Sequence, residues 1–169
     1  VWCIGIYATF NSDIEVIPCV EFKVIELIEN FTETFNFDET RVFGNQAPFD
    51  FDVSVKDIYS CIKNGASMHI IPKLFFSIPT KLIACLNEKK IDTIIWATSA
   101  LRIIENLNAF ENTKPQTLKT VMFSGEVMPN KVLNYWRNNL PNVNYVIGYI
   151  DGFKENSRWK INGQNKKLF

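Results

Sequence analysis

The chain holds a single histidine, His69, and none of its four cysteines stands at CxxC spacing from another. Cys3, Cys19, Cys61 and Cys85 are scattered, with no histidine at ligand distance, so no residue is assigned to a metal. They read as reduced, partly buried thiols, and Cys61 and Cys85 fall inside apolar-periodic helices where a free cysteine acts as a small hydrophobe. His69 lies between Met68 and Ile70 in a predicted strand, away from any serine or cysteine nucleophile pattern, and reads as structural. Charge of one sign is also lacking: eighteen basic and eighteen acidic residues cancel. Without a long-range field, neither nucleic acid nor a membrane surface is expected as a partner. No apolar run approaches the ~20 residues that cross a bilayer, and Val1 to Ala8 shows neither a basic leader nor a cleavage signature, so a cytoplasmic protein is expected. No GxGxxG or GxxxxGK[ST] element occurs, which tells against an unrelated doubly wound nucleotide binder.

What is present is apolar material in regular order. With 169 residues, 47% of them hydrophobic, the chain closes one sizeable core. From residue 41 onward short apolar runs alternate with amphipathic stretches, the pattern of repeated βα units around a mainly parallel sheet with helices on both faces. Strands are predicted at Arg41 to Gln46, Ser67 to Ile71, Thr93 to Trp96, Thr120 to Phe123 and Val143 to Ile147. Helices are predicted from Ser54 to Lys63, Ser77 to Lys89, Thr98 to Leu107 and Asn130 to Asn139. Ser54 is expected to cap the first of these with its side-chain oxygen, and Asn64-Gly65 to close it in the left-handed conformation. The first forty residues read as a strand at Trp2 to Tyr7, an irregular patch from Asn11 to Pro18 and a helix from Phe22 to Phe35. Residues 1–153 are expected as one α/β core and 154–169 as a polar tail or solvated hairpin, because Asn162-Gly163 is a strong two-residue turn signal.

In an open parallel sheet, ligands settle beyond the carboxyl ends of the strands. Asp50 and Asp52 follow the first strand of the repeat, Thr98 and Ser99 follow Trp96, and Ser124, Gly125 and Glu126 follow Phe123. Three strand-to-helix junctions thus place small or acidic residues on one rim. The alternative is that Asp52, Ser54, Thr98 and Ser99 only cap helices.

The run Phe49-Asp50-Phe51-Asp52-Val53-Ser54-Val55-Lys56-Asp57-Ile58-Tyr59, followed by Asn64-Gly65-Ala66-Ser67, resembles a motif of the amino-acid adenylation domains and D-alanine carrier-protein ligases. Phe123-Ser124-Gly125-Glu126-Val127-Met128-Pro129, then Val132-Leu133-Asn134-Tyr135-Trp136-Arg137 and Leu140-Pro141, is similar to a second block of these AMP-binding, acyl-adenylate-forming enzymes in order and separation. The resemblance spans about residues 36–146. It implies an α/β fold like part of the large N-terminal subdomain of adenylate-forming enzymes. The implied reaction is attack of an amino acid's carboxylate on the α-phosphorus of ATP, with magnesium, then transfer to the thiol of a peptidyl or D-alanyl carrier protein. Asp52 corresponds to the acid that receives the substrate ammonium group, a charge-assisted contact. Val53, Lys56, Ser99, Met122 and Ser124 fall where the family lines its side-chain pocket. Gly125 would let adenine approach the backbone, with Ser124, Glu126 and Tyr149 beside it. Lys56 has two readings: a pocket cation for an acidic or polar side chain, or an exposed helix lysine.

The chain departs from the family at two places. Tyr7-Ala8-Thr9-Phe10-Asn11-Ser12 stands where a serine-, threonine- and glycine-rich phosphate loop ending in lysine belongs. Gly148-Tyr149-Ile150-Asp151-Gly152-Phe153 stands where the threonine and glutamate for phosphate and magnesium belong. With those groups and the family's catalytic lysine lid missing, no residue is assigned as catalytic, and the expectation is a fragment or truncated homologue inactive alone. The other reading is a non-catalytic interaction module or pseudoenzyme that keeps the fold. Apolar faces around Trp2, Phe35 or Phe75 are expected to be uncovered and to drive self-association.

Overall fold

The computed structural model describes residues 6–10, 13–17, 21–51, 53–124, 126–149, 158–161 and 164–167, and the side chains of 24–51, 53–123 and 126–146. Two strands, β1 (Ile6–Phe10) and β2 (Asp13–Ile17), form an antiparallel pair of their own. β2 occupies the stretch expected to be irregular; the alternation of polar and apolar residues in Asp13-Ile14-Glu15-Val16 is the period of a strand. After helix α1 (Glu21–Phe35) the main sheet begins with β3 (Val42–Asn45). It continues through α2 (Ser54–Asn64), β4 (Ser67–Ile70), a 3-10 turn at Lys73–Ser77, α3 (Pro79–Glu88), β5 (Thr93–Ala97), α4 (Thr98–Asn106), β6 (Thr120–Ser124), α5 (Asn130–Asn139) and β7 (Asn144–Tyr149).

The strand order is β4-β3-β5-β6-β7, all parallel, extended by two antiparallel strands, β8 (Arg158–Ile161) and β9 (Gln164–Lys167). The hairpin predicted from Asn162-Gly163 is therefore hydrogen-bonded to β7 and widens the sheet. Asn162 and Gly163 lie outside the described residues.

β-branched and aromatic runs place alternate side chains on opposite faces of a strand. Ile94, Trp96, Val121, Phe123 and Tyr145 pack with α3, α4 and α5 through Leu82, Ile83, Leu86, Leu101, Ile104, Val132 and Trp136. Ile95, Met122 and Val146 point the other way and meet Phe31 of α1, Phe37 and Phe43, with Cys61 of α2 at the margin. Crossovers of one hand produce this division: the chain steps from β3 to β4 in one direction and from β4 over β3 to β5 in the other, so the helices land on opposite faces. None of the helices among the described residues is long and apolar enough to cross a membrane.

Asp92 aligns the amino ends of three strands. Its carboxylate accepts from the Val42 backbone N–H at 3.2 Å and from Thr93 Oγ1 at 2.8 Å. Arg41 and Lys119 flank it at 3.8 and 3.7 Å. Gly65 ends α2 at φ 64°, as the Asn-Gly signal predicts, and its N–H donates into the last turn. Gly44 is demanded by contact, since a Cβ there would stand 2.9 Å from Ile91 Cγ2 and 3.1 Å from Ile71 Cδ1. Both isoleucines are buried in the α3 layer, so neither can withdraw freely. Gly44→Ala is expected to lower the unfolding free energy by about 1–3 kcal/mol, the usual cost of overpacking. Urea denaturation checks it, and an unchanged midpoint would show that the layer yields.

Candidate functional site

The reversal of strand order makes β3 and β5 the switch point of the sheet, the place where connections leave in opposite directions and a crevice opens at the carboxyl ends. Asn45 ends β3 there and Ala97 ends β5, while Gln46 Oε1 accepts from the Ala97 backbone N–H at 3.4 Å. Ser124 ends β6 one strand further on, in register with Ala97 on one side and Gly148 of β7 on the other. The turn after β3 and the turn after β6 therefore leave the same edge of the parallel sheet, separated only by β5.

Local chemistry shapes the first turn. Phe51 N–H donates to Pro48 O at 3.0 Å and Ser54 N–H to Phe51 O at 3.0 Å, so the chain is already coiled when α2 starts. Ser54 is not the cap expected of it. Val53, in helical conformation, precedes the helix, and the Ser54 hydroxyl donates backwards to Phe51 O at 2.7 Å. Thr98 and Ser99 do not cap α4 either: Ala97 holds the cap position without a side-chain bond, and the buried Thr98 hydroxyl donates to the Glu126 carbonyl at 3.2 Å. That bond ties the start of α4 to the loop after β6. Arg102 Nη1, 3.7 Å from Glu126 Oε2, braces the same loop from outside.

The second notable feature is polar. Lys56, Asp57 and Ser60 of α2 are all buried, as is Asn45 beneath them. Asn45 Nδ2 donates to Asp57 Oδ2 at 2.8 Å. Burial pushes the Asp57 carboxyl up to about 7, against the opposing effects of the Asn45 hydrogen bond and the Lys56 charge. Lys56 is 3% exposed, which removes the reading of an exposed helix lysine.

The remaining predicted positions are distributed as follows. Val53 is half-buried at the foot of α2, and Met122 is fully buried among Phe43, Ile95 and Val146, below the carboxyl edge. Ser99 and Glu126 stand exposed at the rim, as does Asp50. The backbones of Ser124 and Tyr149 close β6 and β7 at that edge. Asp52 and Gly125 lie outside the described residues. Among the described residues no three acidic, cysteine or histidine side chains gather as a metal site. Asn45, Gln46, Asp57 and Ser60 were not singled out by sequence. The available signal was the polar set Lys56, Asp57 and Ser60 at helical spacing on one stripe, which ordinary amphipathic patterning assigns to solvent.

Cys61 Sγ donates to Ala66 O at 2.8 Å, and burial raises its thiol pKa, as it does that of Cys85; both are free thiols. Cys3, Cys19 and Trp2 lie outside the described residues. Phe35 and Phe75 are half-buried, Phe35 against Phe31 at 5.3 Å, whereas the exposed large apolar side chains include Phe49, Phe51, Ile62, Ile70, Leu74 and Val127.

Comparison with known proteins agrees with this fold. A D-alanine–D-alanyl carrier protein ligase of Bacillus cereus is 33% identical over 117 residues, which cover 69% of this chain and 23% of the ligase. The chain thus spans less than a quarter of the length of the curated relatives it matches. A nonribosomal peptide synthetase, FmoA3, superposes with a TM-score of 0.72 at 14% identity, over 92% of this chain and 16% of that one. The N-terminal domain of FACL13 from Mycobacterium tuberculosis superposes with a TM-score of 0.71 at 12% identity, over 85% of this chain and 35% of that one. The family model described as AMP-binding enzyme matches residues 21–150, more than three quarters of the sequence, and the chain belongs to that family.

Proposed function

We propose that this chain forms the amino-acid and adenine walls of an adenylate-forming site, in an enzyme that activates an amino acid with ATP and passes it to a carrier-protein thiol. The observation that carries the reading is the shared edge: the turns after β3 and β6, which hold the two family-like blocks, leave the carboxyl side of one parallel sheet with only β5 between them. In this reading Asp52 receives the substrate ammonium group, and Val53, Lys56, Ser99, Met122 and Ser124 surround its side chain. Ser124, Gly125, Glu126 and Tyr149 take the adenosine.

The residues fit the base and amino-acid sides of the ligand better than its phosphates. A nucleotide bound here would supply the electrophilic phosphorus and its leaving group. The chain's own contribution is to orient the amino acid and to hold the adenosine beside it through the loop braced by Thr98 and Arg102. The described residues provide no acidic cluster for magnesium, and the phosphate-binding signatures are absent from the two matching slots of the sequence. Positioning without charge stabilisation leaves out the largest part of such catalysis. The expected result is binding without turnover. Calorimetry on the 169-residue chain should detect AMP or an amino acid at micromolar to millimolar affinity, about 4–8 kcal/mol. Pyrophosphate exchange should stay at the blank rate. Brisk exchange would refute the loss of turnover, and absence of any nucleotide or amino-acid binding would favour a non-catalytic interaction module.

A further inference from the structure

The two walls of the crevice are joined by side chains at the point where the sheet itself parts. β3 and β5 pair only at Phe43 with Thr93 and at Gly44 with Ile94, although β5 runs on to Ala97 and stays in register with β6 as far as Ser124. Strands that diverge at a switch point leave backbone donors and acceptors facing the gap, and each needs a partner. Two side chains take over from the ladder beyond Ile94. Trp96 Nε1–H donates to the Gly44 carbonyl at 2.8 Å, and Gln46 Oε1 accepts from the Ala97 N–H at 3.4 Å.

The next residue carries the connection onward. Thr98 is fully buried, and its hydroxyl donates to the Glu126 carbonyl at 3.2 Å. Ala97 is extended and Thr98 opens α4, so both bonds meet at one strand-to-helix corner. Gln46, in the turn after β3, grips that corner from one side, and Glu126, in the loop after β6, from the other. Arg102 also reaches Glu126, but an ion pair at 3.7 Å between side chains 51% and 58% exposed contributes little. A hydrogen bond made by a buried hydroxyl is costly to lose. Thr98 therefore outweighs Arg102 in fixing the loop. Neither Gln46 nor Thr98 is among the residues assigned to the ligand.

We infer that Gln46 and Thr98 are positioning residues that lock the turn after β3 to the loop after β6 through the Ala97–Thr98 corner, so that the amino-acid wall holds the adenosine wall in place. The inference rests on the adenylation reading of this edge and adds the residues that keep its two walls together. The test is a double-mutant cycle on the 169-residue chain, Gln46→Met with Thr98→Val. Its readouts are amide hydrogen exchange from Glu126 to Met128 and AMP affinity by calorimetry. Each single variant should speed exchange in that loop several-fold and weaken AMP by a similar factor. For Gln46→Met the effect must cross β5 to reach the loop, whereas a purely local role would leave both readouts unchanged. The double variant should be little worse than Thr98→Val alone, because both substitutions break one linkage. Gln46→Glu keeps an acceptor and Thr98→Ser a donor, and each should restore most of the wild-type behaviour. A cooperative melting transition establishes that each variant is folded, and if Thr98→Val is not, Gln46→Met and its glutamate counterpart decide the matter. Loop exchange in Gln46→Met within about twofold of wild type, or single effects that simply add, overturns the inference and leaves the adenylation reading standing. So does AMP affinity that is unchanged in both single variants. Failure of the wild-type chain to bind AMP counts against the reading beneath, and the exchange measurements then decide the inference by themselves.

Discussion

Replacing Trp96 by alanine is expected to cost so much stability that the chain is largely unfolded near 37 °C. Trp96 is fully buried near the carboxyl end of β5, edge-on to Phe76 with ring centroids 4.9 Å apart. Removing so large a side chain from a packed core costs about 3–5 kcal/mol. The indole does more than fill space. Its Nε1–H donates to the Gly44 carbonyl at 2.8 Å, across from β5 to β3. The truncation leaves that buried acceptor without its side-chain donor, a further cost of roughly 1–3 kcal/mol. Against a typical total of about 5–15 kcal/mol this is a large fraction. Trp96→Phe separates the two contributions, because it keeps an aromatic body and deletes the donor. Urea unfolding followed by far-ultraviolet circular dichroism gives both values. A loss below about 1 kcal/mol for the alanine variant would contradict the packing described for this layer.

Asp57→Asn is expected to stabilise the chain at alkaline pH and to have little effect in acid. Burial raises the folded-state carboxyl from 3.8 to about 7, so the folded protein binds the proton more tightly than the unfolded chain does. Such a group contributes stability that is fully present below pH 3.8 and is lost as pH rises to about 7. The difference corresponds to at most about 4 kcal/mol. An amide imitates the protonated acid, still able to accept from Asn45, and does not ionise. The wild-type chain should therefore lose stability relative to the variant between pH 4 and pH 8, and the two denaturation midpoints should converge at the acid end. Parallel pH profiles would show that Asp57 is not buried as a titrating carboxyl. The same residue orients Asn45 at the carboxyl end of β3, so the experiment also reports on the foundation of the candidate site.

Much of the architecture was legible because it depends on near neighbours in the chain. The inward residues of α5 recur at helical spacing from Val132 to Trp136, and its observed limits, Asn130–Asn139, are those predicted. Thr93 to Trp96 is a β-branched and aromatic run buried on both faces, as a central parallel strand requires. Gly65 was readable because closing a helix in the left-handed region favours a residue without a Cβ. The two motif blocks likewise announced family membership through order and separation. Other features were hidden in the same stretches. Ser54 had the composition of a cap, but Val53, itself in helical conformation, holds the cap position, and the Ser54 hydroxyl donates backwards to Phe51 O. The hairpin signal at Asn162-Gly163 was visible, whereas its pairing with β7 was not, because a turn does not specify which strand lies alongside.

The chain's periodicities settle which segments coil and which extend, since each depends on contacts within a few residues, and they settle the parallel α/β class. Which face of a helix ends inside depends on what folds over it from far along the chain. For α2 that was decided by the sheet beneath it and by Asn45, twelve positions before Asp57, and the outcome inverted the pattern. The pairing of the β3 and β6 turns at one edge was decided the same way, by hydrogen-bond register between strands distant in sequence. No local preference encodes that register, because a strand presents the same backbone groups to any neighbour of suitable length.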